Sequence, residues 1–86
     1  MYLNIGQDLA VHGKEVLGIF DLDNVGRQKR TIEYLRAAEK AGEVTVLSGD
    51  IPKSLVLCER DGKQRVILAQ VSPATLKIRA TERNSP

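Results

Sequence analysis

The stretch Ser54–Ala69, SLVLCERDGKQRVILA, decides the fold of this 86-residue chain. Two apolar runs flank Asp61-Gly62, a dipeptide that favours a two-residue hairpin turn because both central residues take positive φ. Such a turn sets the register: Arg60 faces Lys63, Cys58 faces Arg65, Leu57 faces Val66, Val56 faces Ile67 and Leu55 faces Leu68. Leu55, Leu57, Val66 and Leu68 form one apolar face. Val56, Cys58 and Ile67 make the opposite face apolar too, and a hairpin apolar on both sides must be covered on both. One helix covers one face of a small sheet. For the other face, with Val56, Cys58 and Ile67, the expectation is an oligomer interface with further copies of the chain; coverage by a C-terminal helix is the alternative.

Upstream of the hairpin, Tyr2–Ile5 alternates with Leu3 and Ile5 on one face, and Asp8–His12 alternates through Leu9 and Val11. Glu15–Leu22, EVLGIFDL, is rich in β-branched and aromatic residues. Three short strands with tight links predict a meander. Val25, Ile32, Leu35 and Ala38 then recur at the helical period. With Asp23 or Asn24 as cap and Gly42 at the end, they predict a helix from about Gly26 to Ala41. Glu43–Leu47 reads as a short strand. Downstream, Ser72 as cap and Pro73 at the first helical position start a last helix, with Leu76 and Ala80 four apart. The expected fold class is α+β: a small antiparallel β-sheet with one central helix and a short C-terminal helix. Residues 1–80 form a single domain, and residues 81–86 read as a flexible tail.

One cysteine and one histidine exclude an intramolecular disulfide and a Cys/His zinc site. The N-terminus lacks a basic segment followed by an apolar one, and no apolar run approaches the ~20 residues of a membrane helix. A cytoplasmic protein without membrane contact is expected. Tyr2, Phe20 and Tyr34 are the only aromatic residues, too few for an aromatic platform that stacks single-stranded bases. There is no phosphate-cradling glycine loop. His12 sits at a Gly turn, Cys58 lies in mid-strand among apolar neighbours, and Asp21 and Asp23 end a strand and cap a helix. No catalytic constellation forms. The expectation is no enzyme, with no cofactor, metal or small-molecule substrate.

The cations are more informative. Arg60 opposite Lys63, with Arg65 on the same side, places three positive groups at one hairpin tip, where like charges directly opposed are mildly destabilising. A phosphate would relieve that repulsion. The run RQKR, Arg27–Arg30, opens the predicted helix, where cations oppose the helix dipole. Lys53 precedes the apolar run in SGDIPKSLVL, either as a phosphate contact or as a strand-edge charge that guards against edge-to-edge pairing. The net charge is only +2. One copy would therefore bind DNA weakly, and an oligomer repeating the patch would bind better.

In order and spacing, YLNIGQDLAVHGKEVLGIFDLDN, GDIPKSLVL and ILAQVSPATLKIRA resemble the bacterial extracellular matrix regulatory proteins. The nearest likeness is to their RemB-like (YaaB) branch, and it covers residues 1 to about 80. The resemblance implies a small α+β domain akin to LytTR-type DNA-binding domains. In the related RemA branch it implies ring assembly and DNA binding that activates biofilm matrix genes. An arginine-rich stretch contacts DNA in that branch, and GDIPKS occupies its place here. Only Lys53 keeps a matching basic position; Asp50, Ile51 and Pro52 stand where that branch carries arginines. The expected function is a non-enzymatic DNA-binding transcriptional regulator of extracellular matrix genes, acting as a homo-oligomer through Lys53, Arg60, Lys63 and Arg65. The alternative is a protein-interaction module that binds another regulator without touching DNA.

Overall fold

The computed structural model describes residues 2–7, 9–47 and 51–83, with the backbone alone for 81–83. Along the chain come β1 (Tyr2–Gly6), β2 (Leu9–His12), one 3-10 turn (Gly13–Glu15), β3 (Val16–Asp21), α1 (Leu22–Val25) and α2 (Lys29–Lys40). They are followed by β4 (Val44–Val46), β5 (Ser54–Arg60), β6 (Lys63–Ala69) and α3 (Pro73–Arg83). This is an α+β fold. No helix among the described residues is long and apolar enough to cross a membrane.

The β5–β6 hairpin has the register that its turn dictates, from Ser54 opposite Ala69 to Arg60 opposite Lys63. Asp61 and Gly62 take φ of 52° and 81°, the left-handed pair that a tight hairpin between right-twisted strands requires. This hairpin lies in the middle of a four-stranded sheet of order β3-β5-β6-β4. β3 runs antiparallel to β5, with a bulge between Val16 and Gly18. β4 runs parallel to β6, so the sheet is mixed rather than wholly antiparallel.

The expected meander does not form. β1 and β2 pair with each other in a separate two-stranded sheet, and the 3-10 turn redirects the chain before β3. His12 drives that change of direction: its Nδ1 accepts from the Lys14 amide at 3.2 Å. The expected helix from Gly26 to Ala41 starts later, at Lys29, with Gln28 rather than Asp23 or Asn24 at its cap position, and a separate one-turn helix, α1, precedes it. Asp21 caps α1 through Oδ1, which accepts from the Asp23 amide at 2.9 Å. Gln28 is extended, with φ −77° and ψ 133°, which breaks the helix and turns α2 across the sheet. α2 then ends at Gly42, with φ +73°, as expected. At α3, Ser72 Oγ accepts from the Thr75 amide at 3.2 Å. α3 continues through Thr81, Glu82 and Arg83, the first three residues of the segment expected to be a tail; residues 84–86 lie outside the described residues.

Both faces of the central hairpin are covered by the chain itself. On one face Val56, Cys58 and Ile67 pack with Leu3 and Ile5 of β1, Val11 of β2 and Leu76 of α3. On the other, Leu55 and Val66 pack with Ala38 and Leu35 of α2, flanked by Leu57 and Leu68. Ser54 is the one buried polar residue among those described. Its hydroxyl donates to the Val71 carbonyl at 2.8 Å and ties the start of β5 to the approach of α3.

Candidate nucleic-acid interface

Cross-strand partners in a hairpin share a face, and so do residues two apart on one strand. The register therefore puts Arg60, Lys63 and Arg65 on one side of the β5–β6 tip, and all three are exposed. They border an open groove of about 640 Å³, completed by the end of α2 at Ala41 and Gly42 and by Glu43 and Asp61. The backbone beneath is hydrogen-bonded throughout the hairpin. Cross-strand pairing runs the length of the hairpin, the Val66 amide donates to the Glu43 carbonyl at 2.8 Å, and Tyr34 Oη donates to Gln64 Oε1 at 2.9 Å on the opposite face.

Two acidic residues from outside the hairpin lie at this cluster: Glu43 lines the same groove, and Glu15 pairs with Arg60. Glu15 Oε1 lies 3.8 Å from Arg60 Nε, with 28% of the Glu15 side chain exposed against 78% for Arg60. Glu15 and Arg65 are also felt by the thiol between them. Burial pushes Cys58 above its ordinary value, Arg65 pulls it down and Glu15 pushes it up. An ion pair this exposed is weak, and it leaves the outer edge of the Arg60 guanidinium open. Glu15 had no signal in the sequence. Its position depends on the bulged β3–β5 register, which sets Val16 opposite Cys58.

Lys53 stands apart from the tip. It precedes β5, whose seven residues at about 3.3 Å each put the two ends roughly 20 Å apart. The Lys53 backbone is fixed: its amide donates to the Ala69 carbonyl at 2.8 Å, and its carbonyl accepts from the Leu22 amide at 3.0 Å. Its side chain is exposed. The strand-edge reading of Lys53 is corrected, because β5 is an interior strand with β3 on one side and β6 on the other. It has no free edge to guard. Ser48, Gly49 and Asp50, which precede it in the sequence, lie outside the described residues.

The expected oligomer interface is corrected too. Val56 and Ile67 are 0% exposed and Cys58 is 4% exposed, beneath the β1–β2 hairpin and α3 of the same chain. The sequence offered the C-terminal helix as the alternative cover, and α3 takes that part together with a hairpin whose packing the sequence did not suggest. Apolar surface remains elsewhere, at Tyr2, Leu17, Phe20, Val46, Ile51 and Ile78. The other titratable candidates have local roles. His12 accepts its backbone bond and meets Tyr2 edge-on, with ring centroids 5.3 Å apart. Asp21 caps α1. Among the described residues no group of three or more His, Cys, Asp or Glu side chains could hold a metal.

The site is thus a hydrogen-bonded hairpin tip whose exposed cations border an open groove. Compared with models of protein families and with curated proteins, the chain matches none.

Proposed function

We propose that the chain is a non-enzymatic, DNA-binding transcriptional regulator of the extracellular matrix type it resembles, acting in the cytoplasm as a homo-oligomer. The observation that supports this reading is the convergence of Arg60, Lys63 and Arg65 on one face of the hairpin tip, with one ion pair among the described residues, Glu15 to Arg60 at 3.8 Å. Cations held close together without matching anions cost stability. A phosphate backbone relieves that cost and suits the fork of an arginine.

Lys53 gives a second contact at the far end of β5. A few cations per copy neutralise few phosphates, so useful affinity requires several copies on one duplex. Sequence preference then comes from the spacing of the copies and the shape of the DNA. The copies meet through surface other than Val56, Cys58 and Ile67.

The test is binding to a random-sequence duplex across a salt series, with the mass in solution measured on the same samples. An oligomer whose affinity falls steeply with salt is expected, and Lys63→Ala or Arg65→Ala should each lower the salt slope by about one per contact removed. An assembled protein that fails to bind DNA even at low salt would sink the proposal.

A further inference from the structure

The sheet has an open side that the DNA reading does not use. β3 is one of its two outer strands, and no strand pairs with its outer edge among the described residues. Edge strands are commonly blocked by lysine or proline. The sequence of β3, VLGIFD, holds neither; its bulge lies at the Val16 end, and Gly18–Asp21 pairs regularly with β5 on the inner side.

Beside this edge α2 leaves the sheet partly bare. Phe20, Val25, Thr31, Tyr34, Leu55 and Leu57 line a groove of about 330 Å³. Phe20 stands where groove and edge meet. Its ring is folded over Gly18, so closely that a Cβ on Gly18 would lie 2.7 Å from it, and the ring is still 42% exposed.

The rim of the groove is cationic. Arg30 lies four residues before Tyr34, one turn away on the same side of α2, and Arg27 immediately precedes Gln28, which also lines the groove. Both arginines are exposed. Among the described residues neither has an ion pair, although Asp23 and Glu33 are exposed nearby. Arg30, in the first turn of α2, opposes the helix dipole, and no ion pair among the described residues offsets it.

The geometry points to a docking site for an extended segment of a partner protein that adds a strand to β3, seats an apolar or aromatic side chain in the groove and sets carboxylates against Arg27 and Arg30. Main-chain pairing supplies affinity in such strand addition, and the pocket for alternate side chains supplies specificity. Charge complementarity decides the occupant. A second copy offering its own β3 brings a single acid, Asp21, whose carboxylate already caps α1, and it brings a second cationic rim. A foreign segment alternating apolar and acidic residues matches both features.

The experiment screens the full chain against a displayed library of short random peptides, then maps the synthesised best binder by amide chemical shifts. Enriched sequences should alternate apolar or aromatic residues with aspartate or glutamate. Shifts should fall on Val16–Asp21 and Arg27–Tyr34, and the folded double variant Arg27→Glu/Arg30→Glu should bind about tenfold more weakly. Enrichment without acidic residues, or shifts confined to the Arg60–Lys63 tip, overturns the proposal. So does concentration-dependent movement of the β3 amides with no peptide present, which would make a second copy the occupant. Because no step uses DNA, this outcome is independent of the regulatory reading.

Discussion

Ser54 shows how much one small polar side chain can carry. It is 0% exposed, and its hydroxyl is held by the Val71 carbonyl at 2.8 Å. Ser54→Ala leaves that carbonyl without its partner, so a loss of about 1–3 kcal/mol is expected in urea unfolding. A change of only a few tenths would mean that water replaces the hydroxyl. Cys58 makes a different prediction. Burial raises its folded pKa above the ordinary thiol value of 9.0, so the folded state favours the neutral form. Its contribution is fully present below pH 9.0 and is lost as pH rises through the higher folded value. Burial first, and then Glu43, raise Tyr34 above its ordinary 10.0 in the same direction. The stability difference between the wild type and Cys58→Ala isolates the thiol. It should be flat from neutral pH to about 9 and shrink above that; a difference constant across the whole range would rule out the buried thiol as the cause.

Among the elements, β5–β6 was fully legible because its determinants are local. Asp61-Gly62 fixes the turn, the turn fixes the register, and the apolar alternation fixes both faces. Gly62→Ala tests that logic. With φ at +81° and no atom within 4 Å of the place an alanine methyl would take, the change meets backbone strain without a clash, and about 1 kcal/mol should be lost in thermal or urea unfolding. An unchanged stability would show that the turn does not need its left-handed residues. What covers the hairpin was less legible. Tyr2–Ile5 and Leu9–Val11 announce strands by alternation, but alternation does not say which strand pairs with which, and the 3-10 turn after His12 separates them from β3. The helix period from Val25 to Ala38 runs through the extended Gln28, so the sequence started the helix at Gly26, three residues before α2 begins, and did not show α1. Within the candidate site, the register gave Arg60, Lys63 and Arg65 their common face. Glu15 was hidden, because only the tertiary pairing of β3 with β5 brings it there.

Taken as a whole, the molecule sets stability against surface charge. Arg60 and Lys63 are direct cross-strand partners, and Glu15 offsets only part of their repulsion. Lys63→Glu turns that pair into an attractive one. Thermal or urea unfolding should show a gain of up to about 1 kcal/mol, together with weaker DNA binding at every salt concentration. Such opposed changes are expected where a site is held against the preference of the fold. A gain in stability with unchanged DNA affinity would remove Lys63 from the interface.

The central place of the hairpin has a kinetic consequence. β5 and β6 are joined by two residues, so they meet after the shortest chain closure in the sheet. β3 and β4 then attach to opposite sides of an existing template at greater loop-closure cost. The β1–β2 unit and α3 pack onto the template's finished face. The transition state should therefore contain the hairpin and little of β1. Val66→Ala should slow refolding, whereas Leu3→Ala should mainly speed unfolding; equal effects on refolding would mean that the layers form together. On this route the cationic tip is built early, before the carboxylate of Glu15 arrives beside it.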